Sequence, residues 1–373
     1  MKTSNHIFNN YNLSIETITP LHIGSGQMLS SVGDFLITNN KIRYLDTEKI
    51  SKFLVENEKI EAYLQKILNT PTGFNNEAEL SEIDFEIESA VLYEIELGSN
   101  NLNVLNNNIL HRFIDANGRK YIPGSSVKGM IKTVLLFQYL KDNRTVLSNI
   151  EKEILSKSLL EKKEFFSDLK AMWKSYENEV FNSKEFNNLR FNDSPYLSND
   201  KLQVEQVKRQ HLFNVDSEGL DWLSETVKSE TVFPVRMQLC PAFSLNQSAL
   251  NLPVITGLFK LINDYSTSMI DFEIKMLDLT SFCDKSVVIQ KLTEIKAEIL
   301  NSNNQWAICR LGKGKTIYFN TIWSLLSETT INLIVEKLRG EEEGNALFPA
   351  TRVLTVNNEM FGWIRIREPE PKQ

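Results

Sequence analysis

The 373-residue sequence predicts an α+β protein, and three observations carry that reading. Strand-like stretches occupy both ends of the chain, a Lys- and Glu-rich helical block separates them, and no motif recurs at the fixed period of a solenoid or propeller.

Residues 12–20 (NLSIETITP) set Leu13, Ile15 and Ile18 among polar neighbours, the pattern of a half-buried strand. The strand runs into a turn at residues 21–27 (LHIGSGQ), where Gly24 and Gly26 permit positive φ. Residues 35–38 and 41–45 form a hairpin across Asn39 and Asn40. A helix starts at Asp46 or Thr47. Ile50, Phe53, Leu54, Tyr63, Leu64, Ile67 and Leu68 fall near its 3.6 period, with a break around Asn57. Residues 91–97 (VLYEIEL) read as a strand, and residues 110–115 and 119–122 flank Asn117 and Gly118, the strongest hairpin-turn dipeptide. The chain then leaves through a Pro-Gly turn, residues 121–132 (YIPGSSVKGMIK), into a helix capped by Ser125 or Ser126. Val127, Ile131, Val134 and Leu135 share one face of it.

Residues 145–188 read as helical, with Phe165, Phe166, Leu169, Met172, Trp173, Tyr176 and Val180 on one apolar stripe that belongs in a core or a subunit interface. After Asn192 the pattern is strand-like again, at residues 202–209 (LQVEQVKR), 232–239 and 268–279 (SMIDFEIKMLDL). A helix over 285–300 keeps Val288, Leu292, Ile295 and Ile299 in phase. A short strand at 317–319 follows a glycine-rich loop, a helix over 328–339 ends at Gly340 as its C-cap, and two strands, 352–356 and 361–366, finish the chain. At roughly 100–200 residues per domain, this length gives two domains or one core with insertions. The pattern divides it into an N-terminal region (1–144), a helical insertion (145–190) and a C-terminal α+β region (191–373).

Composition narrows the function classes. The chain is 42% hydrophobic and 24% charged, as ordinary globular proteins are. Residues 1–10 are polar with no apolar run behind them. The most apolar stretch, 130–140 (MIKTVLLFQYL), is interrupted by Lys132, Thr133 and Gln138, so the expected location is cytoplasmic with no membrane contact. Cys240, Cys283 and Cys309 lie far apart without a CxxC pair, and His6, His22, His111 and His211 show no ligand spacing. Neither a metal nor a cofactor is expected. The net charge of −7 excludes a general nucleic-acid coat, so any RNA contact must use local positive charge. Arg310, Lys313 and Lys315 lie within one short acid-free stretch, while Glu341, Glu342 and Glu343 form an acidic block elsewhere.

Two places offer phosphate chemistry. At the loop-to-helix junction Pro123-Gly124-Ser125-Ser126, helix-start amides and serine hydroxyls supply donors, with Lys128 and Lys132 one turn apart on the same face. A well-capped helix with two solvated lysines is the other reading. At residues 310–316 (RLGKGKT), Gly312 and Gly314 allow close backbone approach and Arg310, Lys313 and Lys315 supply charge; a solvated hairpin tip is the alternative. The loop ends like a P-loop, but Cys309 replaces the leading glycine and β-like Ile317, Tyr318 and Phe319 follow where a helix should begin. His22, beside the turn that also holds Ser25, is a candidate general base for metal-free RNA cleavage or an RNA contact. No base-stacking strand of the RNA-recognition type is present.

The turn at 21–27 (LHIGSGQ), the junction at 121–132 (YIPGSSVKGMIK) and the late glycine-rich loop at 310–316 resemble the RAMP superfamily of CRISPR-associated proteins. The length, the helical insertion and the ends at 349–354 (PATRVL) and 361–366 (FGWIRI) are similar to its Csm subunit-five branch. The resemblance implies a modified ferredoxin-like (RRM-like) core with helical insertions. It also implies one copy per type III-A Csm complex, and crRNA bound near its 3′ end by residues drawn from Gly124, Ser125, Ser126, Lys128, Lys132, His22, Ser25, Arg310, Lys313 and Lys315. The implied partners are crRNA, the Csm backbone subunit, the small helical Csm subunit and host nucleases. No catalytic aspartate maps onto this chain, and Asp193, followed by Ser-Pro, reads as a turn residue. The late loop departs from the fuller family pattern in having only two glycines. The reading is therefore a non-enzymatic subunit that caps the complex and supports crRNA maturation and interference. The alternatives are a metal-independent RAMP endoribonuclease that processes guide precursors, and a scaffold without RNA contact.

Overall fold

The computed structural model describes residues 9–38, 40–69, 82, 84–98, 109–181, 189–213, 220–239, 255–282, 284–339 and 350–369. Strand β1 (Asn9–Thr17) alternates as expected, burying Leu13, Ile15 and Thr17. It is followed by β2 (Gly24–Ser30) and the hairpin of β3 (Phe35–Thr38) and β4 (Lys41–Leu45). Asp46 then caps α1 (Thr47–Glu56) by accepting the Glu48 and Lys49 N–H groups, and the break before α2 (Ile60–Asn69) falls at Asn57. Next come β5 (Val91–Leu97), β6 (Ile109–Phe113) and a small hairpin of β7 (Asp115–Ala116) and β8 (Arg119–Lys120). Its turn residues Asn117 and Gly118 have φ of 53° and 78°, the left-handed pair that a two-residue type I′ turn requires.

The helical middle consists of α3 (Gly124–Asp142), α4 (Arg144–Ser156) and α5 (Lys162–Val180). Beyond it lie β9 (Leu189–Phe191), β10 (Leu202–His211), β11 (Leu220–Val227) and β12 (Val232–Leu239). Then come α6 (Ile255–Asp278), α7 (Lys285–Asn301), β13 (Trp306–Arg310), α8 (Glu328–Arg339), β14 (Thr351–Thr355) and β15 (Trp363–Arg367).

Strands from both ends of the chain are interleaved. One sheet has the order β13-β15-β1-β12-β9, with β1 antiparallel to both β12 and β15. The other runs β2-β6-β11-β10-β5-β4-β3. In it β10 is long enough to pair with β5 through its first half and with β14 through its second. A main core joins both sheets to α3, α6 and α7, while a smaller cluster (Leu36, Leu45, Ile50, Leu54, Tyr63, Phe85, Ile87, Ala90) seats the α1–α2 pair. The expected α+β class holds.

Several expectations are corrected. The strand expected at residues 268–279 is instead the end of α6, which runs to Asp278 and whose buried positions Ile262, Tyr265, Met269, Ile270, Glu273 and Leu277 follow helical spacing. The alternation of Ile270, Phe272, Ile274 and Met276 mimics a strand only over a short window. Residues 317–319 lie in a 3₁₀ turn (Ile317–Asn320) rather than a strand. Residues 24–27 belong to β2, with Gly26 at φ 85°. Strands β11 and β13 were not anticipated. The expected C-cap Gly340, Cys240, Cys283, His6 and the acidic block at 341–343 lie outside the described residues. No helix among the described residues is long and apolar enough to cross a membrane.

Candidate nucleic-acid interface

The late glycine loop is fastened to both ends of the chain. Leu311 N–H donates to Gly362 O (2.7 Å), Gly362 N–H to Pro20 O (2.9 Å) and Lys313 N–H to His22 O (2.7 Å). Gly312 (φ 75°) leaves no room for a side chain, since a Cβ there would run into His22 O. The N-terminal turn and the late loop, far apart in sequence, thus form one structure.

Beneath the loop, Arg310 is not a surface cation as expected. It is 1% exposed and held in a buried triad. Its guanidinium lies 3.6 Å from Glu273 Oε1, which also takes Arg352 at 2.6 Å. Arg310 donates to Gly314 O (2.9 Å) and Phe361 O (3.2 Å) and stacks over Phe319 and Trp363. Burial outweighs the attraction of Glu273 and lowers its pKa to about 10. Arg310 therefore shapes the loop from inside. Burial likewise holds Lys315 below its ordinary value and pushes the Cys309 thiol up to about 12, leaving that thiol unreactive.

Lys313 does face solvent. Its Nζ is 3.2 Å from His111 Nδ1 and 5.2 Å from the Trp222 ring centre, and Arg209 stands 5.9 Å from the same ring. These side chains arrive from the loop, β6, β11 and β10. On β10 and β11, Val207 and Trp222 are direct cross-strand partners, and the alternation from Val207 puts Arg209 on the same face. Burial and the Arg209 charge lower the Lys313 pKa, and burial and Lys313 lower that of His111. Among the described residues no carboxylate pairs with Lys313 or Arg209. Two cations and an imidazole thus converge on one indole, an arrangement that an anion would relieve. Sequence reading named Lys313 but missed Arg209 and Trp222, because β11 was not recognised.

His22 is not placed for catalysis. It is 2% exposed, with Nδ1 2.6 Å from Glu225 O; a carbonyl only accepts, so Nδ1 carries the proton. Burial lowers its pKa to about 4. Glu225 is itself buried, accepting the Phe113 N–H (2.6 Å) and the Lys120 ammonium (2.7 Å). A histidine held neutral in this way disfavours the fold only when it must charge. From its ordinary 6.5, native stability should be unaffected above pH 6.5 and fall as pH drops toward 4, by about 2 kcal/mol at pH 5. Urea midpoints at pH 7 and pH 5 should therefore converge in His22→Asn relative to the unaltered chain. Ser25 nearby is exposed and donates to Arg112 O (3.2 Å).

The junction at α3 differs from a vacant phosphate cradle. The N-cap is Pro123 rather than a serine, and Gly124 N–H donates to Asp193 Oδ1 at 2.7 Å. Asp193 is thus a helix cap contributed from the far side of the insertion, not only a turn residue. Gly124 is also too crowded for a Cβ, which would meet Phe191 O. Lys132 turns to Glu177 (2.8 Å) and lies over Phe181. Ser125 is exposed and Ser126 donates its N–H to Pro123 O (3.0 Å). Lys128 is half-buried, its pKa lowered by burial and by Arg190 of β9. Arg190, invisible as a site residue in sequence, is close enough to act electrostatically on Lys128.

The family model of the RAMP superfamily matches residues 14–346. Over 143 residues the chain is 34% identical to the CRISPR system Cms protein Csm5 of Streptococcus thermophilus, covering 35% of this chain and 38% of that one. Over 172 residues it is 30% identical to Csm5 of Methanocaldococcus jannaschii, covering 42% and 40%. The chain thus spans about two fifths of the length of the curated relatives it matches. Its fold is similar to a chain in the cryo-EM structure of a Csm-crRNA-target RNA ternary complex of a type III-A CRISPR-Cas system (TM-score 0.68, 20% identity, 96% of this chain and 100% of that one). The crystal structure of T. onnurineus Csm5 is also similar (TM-score 0.61, 20% identity, 94% and 99%). Interleaved sheets around a ferredoxin-like core, the seated glycine loop and the match across most of the sequence agree: the chain belongs to the RAMP superfamily.

Proposed function

We propose that the chain is a non-catalytic subunit of a type III-A CRISPR effector complex. In this reading it binds crRNA near the 3′ end, caps the backbone filament beside the Csm backbone subunit, and supports crRNA maturation and interference. The observation that carries RNA contact is the convergence of Lys313, Arg209 and His111 on Trp222, a small patch of positive charge with no carboxylate partner among the described residues, on an acidic protein. A phosphate seated there relieves the repulsion between the two cations. Ser25, Ser125, Ser126, Lys128 and Lys315 complete the proposed contact set, with Gly124, His22, Arg310 and Lys132 holding their segments in place. The buried, neutral His22 favours binding over cleavage, and similarity to Csm5 proteins and to a chain of a crRNA-containing assembly supports the place in the complex.

Labelled guide RNA incubated with the purified chain, with and without EDTA, should be retained uncut. Lys313→Ala with Arg209→Ala should weaken retention evenly across sequences and lower the salt slope by about 1 per lost phosphate contact. Cleavage would indicate an endoribonuclease, and an unchanged slope would remove the patch. Complexes assembled without the chain should carry guides with altered 3′ ends; unchanged ends would overturn the capping role.

A further inference from the structure

Next to the α3 junction the chain displays an aromatic surface that the phosphate contacts do not use. Tyr196 is 55% exposed on a segment whose backbone is fixed. The segment that carries it is tied to the β8–α3 connection on both sides. Ser194 N–H donates to Ile122 O (2.9 Å), Ile122 N–H to Ser194 Oγ (2.9 Å) and Leu197 N–H to Lys120 O (2.8 Å). Pro195 restricts the backbone between these ties. Tyr121 meets the ring edge-on, with centroids 6.5 Å apart and planes at 90°. Arg119, exposed on the β7–β8 hairpin, places its guanidinium 5.4 Å from the Tyr196 ring centre. The strand alternation that turns Lys120 inward to Glu225 turns Arg119 outward, and among the described residues Arg119 has no carboxylate partner.

We propose that Arg119, Tyr121 and Tyr196 form a stacking platform for an unpaired RNA base, a contact that rests on the RNA-binding reading above and extends it to a nucleobase. The chemistry is specific to a nucleotide. A flat π-system stacks on the tyrosine or guanidinium plane, and the same guanidinium offers a fork of N–H donors to the adjoining phosphate. A pre-ordered ring and guanidinium lose little freedom on binding. The platform reads no sequence, because every base has a π-face, as a subunit that meets many different guides requires.

The test uses the 373-residue chain and a single-stranded oligouridylate, with affinity and salt slope measured together. Tyr196→Ala should weaken binding roughly tenfold with an unchanged salt slope, because a stack and no charge is lost. Tyr196→Phe should restore affinity, and Arg119→Ala should lower both affinity and slope. The Lys313→Ala, Arg209→Ala chain serves as the comparison. If that chain binds poorly while Tyr196→Ala binds normally, RNA binding stands and the platform is wrong. If the unaltered chain does not retain the RNA, the RNA reading itself fails and the platform with it. If Tyr196→Ala leaves RNA affinity intact but prevents entry into the assembled complex, the surface belongs to a protein neighbour and the proposal is overturned.

Discussion

Glu273→Ala is expected to destabilise the chain by about 3–5 kcal/mol, because it strands two buried arginines without their shared carboxylate. Arg310, Glu273 and Arg352 are all at most 4% exposed, so water cannot replace the lost charge. The alternatives open to the guanidiniums are few. Arg310 keeps Gly314 O and Phe361 O, whereas Arg352 keeps the weakly accepting Met360 sulfur. Glu273→Gln should cost less, since the amide keeps the side chain's volume and a polar oxygen beside Arg352 while the charge is gone. Glu273→Leu combined with Arg352→Leu should recover only part of the loss, because it removes one stranded ion while Arg310 stays buried without its carboxylate. Urea unfolding of the three variants measures this. A loss of under about 1 kcal/mol in Glu273→Ala would mean that the triad does not hold the loop, since changes of that size are ordinary for any substitution.

The triad also explains where sequence reading stopped. Glu273 occupies a core position of α6, and a charged residue there breaks the apolar stripe that would have marked a helix. With Glu273 counted as polar, Ile270, Phe272, Ile274 and Met276 present the period of a strand instead. Arg310 misled in the same way, since a cation beside glycines in an acid-free stretch reads as a surface group. Its compensating carboxylate lies 37 positions earlier and becomes its neighbour only through the packing of α6 against β13. Local signals did better. Asp46, Asn57 and Asn117–Gly118 act through the backbone of their own turns, and each punctuates the chain where its chemistry demands. Asp193 and Arg190 were illegible as partners of α3 because they reach it from across the helical insertion. Arg209 and Trp222 become a site only through the β10–β11 register.

Gly312→Ala is expected to combine a large structural effect with a functional one. The left-handed conformation alone (φ 75°) costs a residue with a Cβ about 1–2 kcal/mol. The larger part comes from the collision with His22 O, the atom that accepts the Lys313 N–H. That oxygen belongs to backbone fixed on its other side by the His22 Nδ1 bond to Glu225 O, so the turn cannot retreat without breaking a buried hydrogen bond. The loop must lift instead, releasing the Lys313 tether and carrying its ammonium away from Trp222 and His111. A Gly312→Ala chain should thus lose stability in urea and, at temperatures where it remains folded, show the lower RNA affinity and reduced salt slope of Lys313→Ala. Lys313→Ala should itself leave stability nearly unchanged, since its side chain faces solvent. That contrast separates a seat from the group it positions. Normal RNA affinity in a destabilised Gly312→Ala chain would show that Lys313 reaches RNA without the seated loop. Normal stability and affinity together would show that the turn yields at His22, and that the late loop and the N-terminal turn are not the single structure their hydrogen bonds describe.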